Sequence, residues 1–71
     1  MTPWEGIDEF VSVAELGHFS GAAKRLGVSS SHVSRQVARL EDRLQTRLLY
    51  RSTRKVSLTE AGITFLAHCQ R

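Results

Sequence analysis

FSGAAKRLGVSSSHVSRQVARLEDRL, residues 19–44, decides the fold. Its centre, Leu26-Gly27-Val28-Ser29, separates two helical patterns. Before it, Ser20 is expected to cap a short helix, GAAKRL, that ends at Gly27. Ala22, Ala23 and Leu26 are its apolar positions, and the two alanines let another helix approach closely. Val28 is placed to pack back on the finished helix, as residues after a C-terminal glycine commonly do. After the break, Ser29 or Ser30 is expected to cap a longer helix running to about Leu44. Val33, Val37, Leu40 and Leu44 form its apolar stripe. At about 100° per residue they fall within roughly 60° of one another. Ser31, Ser34, Arg35, Ala38 and Asp42 lie opposite. Two helices joined by a tight glycine-containing turn make a helix-turn-helix.

The flanks extend this reading. Thr2, Pro3, Trp4 and Glu5 match a helix start with a capping box and a first-position proline. Trp4, Ile7, Phe10, Val11 and Ala14 then follow helical spacing, and Gly17 stops a helix predicted over roughly residues 3–16. Downstream, residues 48–51 and 55–58 read as two short strands, with Ser52, Thr53 and Arg54 as the turn. Val56 and Leu58 alternate with Lys55 and Ser57, one face inward and one outward. Thr59 is expected to cap a final helix whose apolar stripe is Gly62, Phe65, Leu66 and Cys69. The predicted fold is mainly α: three helices, a β-hairpin wing and a C-terminal helix, a winged helix-turn-helix. The last helix has no end signal, which suggests a longer protein.

Composition sets the class of partner. Of 71 residues, 41% are hydrophobic and 24% charged, the profile of a globular domain. No stretch approaches the roughly 20 apolar residues that span a bilayer. The N-terminus is acidic and lacks a signal peptide's pattern, and the single cysteine, Cys69, excludes an internal disulfide; a cytoplasmic setting is expected. The net charge is +3, unevenly spread. Nine of the ten Lys and Arg residues lie between positions 24 and 55, whereas residues 1–23 carry four carboxylates and no cation. A basic middle on an acidic start suits a polyanion.

The third helix carries Ser30, Ser31, His32, Ser34 and Arg35 at its front and Glu41 and Asp42 at its back. A helix entering DNA by its N-terminus needs that order. The N-terminal amides and the dipole favour phosphate, small residues allow deep entry, and an Arg can fork onto a guanine edge. RSTRK, residues 51–55, puts three cations on the hairpin tip, suited to the phosphate backbone or a narrow minor groove.

Catalysis is not expected. His18, His32 and His68 are scattered, and Ser30 and Ser31 beside His32 are neighbours on a helix start rather than a nucleophile and base. No metal or cofactor is expected either: His68 and Cys69 are adjacent and diverge by about 100° on a helix. Trp4, Phe10, Phe19 and Phe65 read as core or dimer-contact residues rather than a base-stacking platform. Two other readings fit the fold: a winged helix used only to bind protein, and a sequence-neutral architectural DNA binder. The basic helix front and the basic tip weigh against the first.

Across nearly its whole length the sequence resembles the N-terminal DNA-binding domain of LysR-type transcriptional regulators. Residues 19–44 carry the likeness, with RLLYRSTRKVSLTEAG at residues 47–62. It rests on the combination of Ala22-Ala23, Leu26, Val28-Ser29, Val33-Ser34-Arg35-Gln36, Leu40-Glu41, Leu48, Arg51, Leu58-Thr59 and Gly62. The resemblance implies a winged-helix DNA-binding domain over residues 1–58 and the start of a linker and dimerisation helix over 59–71. It implies double-stranded DNA as partner, read as an inverted-repeat operator by a homodimer. Tetramers and a small-molecule effector are implied for full-length members, which carry a further effector-binding domain. The DNA-contacting positions are then Ser29, Ser30, Ser31, His32, Ser34, Arg35, Arg39, Arg51, Thr53, Arg54 and Lys55; the dimer positions are Ile63, Phe65, Leu66 and Cys69. Ser30 and His32 depart from residues common in the family, so base preference does not transfer from relatives. Gln45-Thr46 replaces the glycine that usually ends the recognition helix, so Gln45 is expected either to turn left-handed or to accept a different cap.

Overall fold

The computed structural model describes residues 6–51 and 56–70. The elements run α1 (Ile7–Leu16), α2 (Phe19–Leu26), α3 (Ser30–Leu44), β1 (Leu49–Arg51), β2 (Val56–Leu58) and α4 (Glu60–Cys69). The strands pair antiparallel with Leu49 opposite Leu58, Tyr50 opposite Ser57 and Arg51 opposite Val56. This is the predicted winged helix-turn-helix. The expected start at Thr2, Pro3, Trp4 and Glu5, and the tip residues Ser52, Thr53, Arg54 and Lys55, lie outside the described residues.

The core forms where the three helical stripes meet. Phe10 and Val13 of α1, Ala22 and Ala23 of α2, and Val33, Val37 and Leu40 of α3 are buried with Leu48 and Leu49. The alanines of α2 sit in that core, the close approach their size permits. α4 closes the far side: the Phe65 ring packs against Phe10 with centroids 5.6 Å apart. Gly62 permits this closure, because a Cβ there would collide with the Leu48 carbonyl oxygen. Thr59 joins the wing to α4, its hydroxyl donating to the Arg47 carbonyl at 2.7 Å and accepting from the Gly62 amide at 2.9 Å.

Two helix starts differ from expectation. α1 begins at Ile7, not near residue 3, because Gly6 is left-handed with φ 91°. A Cβ at Gly6 would fall 2.6 Å from the Gln36 carbonyl oxygen, so only glycine lets the chain pass α3 and then turn into α1. α2 begins at Phe19 and is capped by His18, not Ser20. The His18 ring accepts the Gly21 amide through Nδ1 at 2.9 Å, and the Ser20 hydroxyl lies 3.1 Å from the same nitrogen. The ring supplies the acceptor that an Asp or Ser usually provides.

Two expected packing positions are also more open. Val28 is 38% exposed and Leu44 40% exposed. Ser34 and Ala38, by contrast, are half-buried although they lie opposite the stripe. For Ser34 the cover is Arg51, reaching across from β1.

Candidate nucleic-acid interface

The helix-turn-helix is held by a matched stop and start. At the end of α2, Gly27 is left-handed, and the Val28 amide donates to the Ala23 carbonyl at 3.0 Å. That closure satisfies carbonyls the helix would otherwise leave open. Two residues later Ser29 caps α3, its hydroxyl accepting the His32 amide at 3.0 Å. Ser29 is therefore committed to the helix start. Ser30 and Ser31 follow it, exposed on the first turn, which carries no acidic residue.

Arg35 stands one turn further on, also exposed, and makes no hydrogen bond or ion pair among the described residues. Arg39 continues this exposed face. The front of α3 thus exposes the Ser30 and Ser31 hydroxyls, the helix-terminal amides and the Arg35 guanidinium. These groups suit a phosphate-lined groove with base-edge acceptors. His32 faces a different way: its Nε2 lies 3.7 Å from Glu9 Oε2 of α1.

The back of α3 is built differently. Glu41 turns inward, and its Oε2 accepts the amides of Leu48 at 2.8 Å and Leu49 at 3.1 Å. Its other oxygen lies 3.5 Å from Nη2 of Arg51. Arg51 also donates from Nη1 to the Ser34 hydroxyl at 3.0 Å, and its guanidinium carbon sits 5.1 Å from the Phe19 ring centroid. So Ser34 and Arg51, both expected at the interface, also contact each other. Glu41 and Phe19 were not expected there. Nothing local in the sequence signals them, because each meets Arg51 only through the tertiary fold. Thr53, Arg54 and Lys55 lie outside the described residues.

α3 ends as its sequence suggested. Gln45 is left-handed at φ 52°, the Thr46 amide donates to the Glu41 carbonyl at 3.1 Å, and the Gln45 amide donates to Asp42 at 3.2 Å. The Gln45 side chain donates again to the Asp42 carbonyl at 2.7 Å, which offsets part of the strain.

The four positions expected at a dimer seam divide. Ile63 points outward at 58% exposure. Phe65 and Leu66 are half-buried and pack on the core. Cys69 is half-buried, and that burial pushes its thiol above the usual range. Elsewhere Glu15 ties α1 to two other elements, accepting from Arg25 at 2.6 Å and from Gln70 Nε2 at 3.1 Å. Those hydrogen bonds hold its carboxyl below the usual range. Among the described residues no three His, Cys, Asp or Glu side chains are grouped to hold a metal ion. No helix there is long and apolar enough to cross a membrane.

Known proteins share this arrangement. The model of the bacterial regulatory helix-turn-helix proteins of the lysR family matches residues 4–63. An HTH-type transcriptional regulator of Xanthomonas campestris is 53% identical over 62 residues, which are 87% of this chain and 18% of that protein. The HTH-type transcriptional activator AaeR of Escherichia coli is 48% identical over 62 residues, 87% of this chain and 20% of its own. The chain thus spans about a fifth of the length of these relatives. Among solved structures, the DNA-binding domain of CbnR in complex with DNA superposes with a TM-score of 0.91 at 42% identity, covering 100% of this chain and 80% of that one. The BenM DNA-binding domain on its catB site 1 DNA gives 0.88 at 33% identity, covering 99% and 77%. Its helix order, its turn chemistry and the matched family model together make this chain a member of the lysR family of bacterial helix-turn-helix regulators.

Proposed function

We propose that this chain is the sequence-specific, duplex-DNA-binding module of a bacterial transcriptional regulator. α3 enters the major groove by its N-terminal half, and the wing tracks the adjacent backbone and minor groove. One observation carries the reading: the front of α3 exposes Ser30, Ser31 and Arg35 together, without an acid in its first turn. Arg35 supplies base discrimination by forking onto a guanine edge, and Ser30, Ser31 and Ser34 tune it. Ser29 and His32 act through the helix start, and Arg39 contributes backbone affinity. Thr53, Arg54 and Lys55 supply the wing contacts. DNA complexes of CbnR and BenM domains, similar to this chain throughout, support the assignment.

The module works as a homodimer on an inverted repeat, with half-sites about one helical turn apart. Ile63, with Phe65, Leu66 and Cys69 beside it on α4, supplies the seam. Residues 1–58 form the DNA-binding unit and 59–71 the start of the linker helix. The whole regulator acts in the cytoplasm as a tetramer, senses a small molecule through a separate domain, and has no enzymatic role.

Fluorescence anisotropy with labelled duplexes tests the binding, and sedimentation tests the seam. The expected result is duplex binding that weakens steeply between about 50 and 200 mM salt, as counterion release requires. Sedimentation should show a dimer on DNA that Ile63→Glu breaks. Absence of duplex binding at low salt would favour a protein-binding winged helix instead.

A further inference from the structure

The wing hairpin is small. Its two paired strands, β1 and β2, are three residues each. A two-stranded ribbon of that size is marginal by itself. Its orientation toward α3 therefore depends on what ties it down. Arg51 is the last residue of β1 and directly precedes the stretch that carries Arg54 and Lys55.

Arg51 is placed to be that tie. Its Nη1 donates to the Ser34 hydroxyl at 3.0 Å, and its Nη2 reaches the Ser34 carbonyl at 3.5 Å and Glu41 Oε1 at 3.5 Å. Its guanidinium lies over the ring of Phe19, in the first turn of α2. Glu41 completes the link, since its second oxygen accepts the amides of Leu48 and Leu49 at the entrance to the same strand. One ion pair thus touches α2, α3 and β1. Neither member is fully solvated: the side chains are 30% exposed for Arg51 and 13% for Glu41. A planar fork suits this role, because it meets a hydroxyl, a carboxylate and a ring face at once.

We propose that Arg51 and Glu41 form a bracket that fixes the angle of the wing against the recognition helix, and that Arg51 is a positioning residue rather than a phosphate contact. The inference rests on the reading of α3 and the wing as the DNA-binding surface. Two contact elements must be held within about 0.5 Å and 10–20° to engage one ligand together. The bracket has a consequence of unusual sign. Removing an acid from a DNA-binding surface ordinarily strengthens binding by easing repulsion. Removing the Glu41 charge weakens it, because the wing loses its anchor.

The test compares Glu41→Gln, Arg51→Lys, Arg51→Gln and the double variant Glu41→Gln/Arg51→Gln with the parent chain. Duplex affinity is measured across a salt series, and amide hydrogen exchange of the hairpin is measured without DNA. The bracket predicts that Glu41→Gln and Arg51→Lys each weaken duplex binding about tenfold, since lysine keeps the charge but not the fork. It predicts an unchanged salt slope in Arg51→Gln, and a double variant no weaker than the worse single one. Exchange at Leu49, Tyr50 and Ser57 should rise in both Glu41→Gln and Arg51→Lys. A phosphate contact predicts otherwise: near-parental binding for Arg51→Lys, tighter binding for Glu41→Gln, and a salt slope reduced by about 0.9 in Arg51→Gln. That pattern, or hairpin exchange unchanged in both variants, overturns the bracket. If the parent chain binds no duplex, the functional reading fails while the exchange measurement still decides the bracket.

Discussion

The two halves of α3 are one continuous helix with opposite uses. In the front half, Ser30, Ser31 and Arg35 are exposed, and Arg35 makes no hydrogen bond or ion pair among the described residues. In the back half, the main acid is spent inward: Glu41 holds two amides of the wing and faces Arg51. What differs is where each half's charge is satisfied. A carboxylate that already accepts two N–H groups and faces a guanidinium projects little negative field outward. A helix can therefore carry acids and still present an electropositive end, provided the acids belong to the scaffold. Charge counts along the sequence miss this distinction.

The largest expected effect tests the buried stripe that both halves share. Leu40→Ala should cost about 2–5 kcal/mol. A domain of this length has roughly 4–10 kcal/mol to lose, so a thermal melt by circular dichroism should show a large fall in Tm or no folded state. A fall of only a few degrees would mean that Leu40 is not the packing centre its burial indicates.

Next comes the exposed face. Arg35→Ala should reduce discrimination between a selected duplex and random DNA by about 1–3 kcal/mol. Stability should change by less than about 0.5 kcal/mol, as for surface substitutions generally. Equal loss on every duplex, read in parallel titrations, would move Arg35 from reading bases to holding phosphate.

The helix's end offers a smaller effect. Gln45 holds a left-handed backbone that glycine adopts without strain. Gln45→Gly should stabilise the domain by up to about 1 kcal/mol, reduced by the lost side-chain bond to Asp42. That is a rise in Tm of a few degrees in a domain this small. A fall would show that the side-chain bond outweighs the strain.

The smallest effect separates an exposed carboxylate from the half-buried Glu41. Hydrogen bonds from Arg25 and Gln70 hold the Glu15 pKa below its ordinary value of 4.5. Its contribution is therefore present above that value and lost as pH falls through the lower, folded one. Being on the surface, it should be small and weakened by salt. Glu15→Gln should flatten the acid limb of stability against pH below about 4.5 and leave neutral pH almost unchanged. An identical acid limb in both proteins would remove Glu15 from the account.

Much of this was legible in the sequence because it is local. Gly17, Gly27 and Thr59 mark element ends through backbone chemistry within a few residues, and the stripe Val33, Val37, Leu40 follows from helical period. The strained Gln45 was visible as a missing glycine. What stayed hidden had one of two causes. Some features use the wrong residue for a familiar job: a histidine ring caps α2, where the sequence offered Ser20 next door. Others need the tertiary fold first. Gly6 breaks the expected first helix because α3 crosses it, and the Glu41, Arg51, Ser34 and Phe19 cluster joins three elements that no spacing rule connects. The candidate site was readable as a list of exposed cations and serines. Its division into reading and bracing groups was not.

The most direct measurement is selection from a random duplex pool by the parent chain and by Arg35→Ala. The parent should enrich an inverted repeat with half-sites about one helical turn apart, and Arg35→Ala should still bind DNA but lose a guanine-containing step of that repeat. Binding by the parent chain with no enriched sequence, or the same repeat enriched by both proteins, would contradict the assignment of α3's front half as the reader.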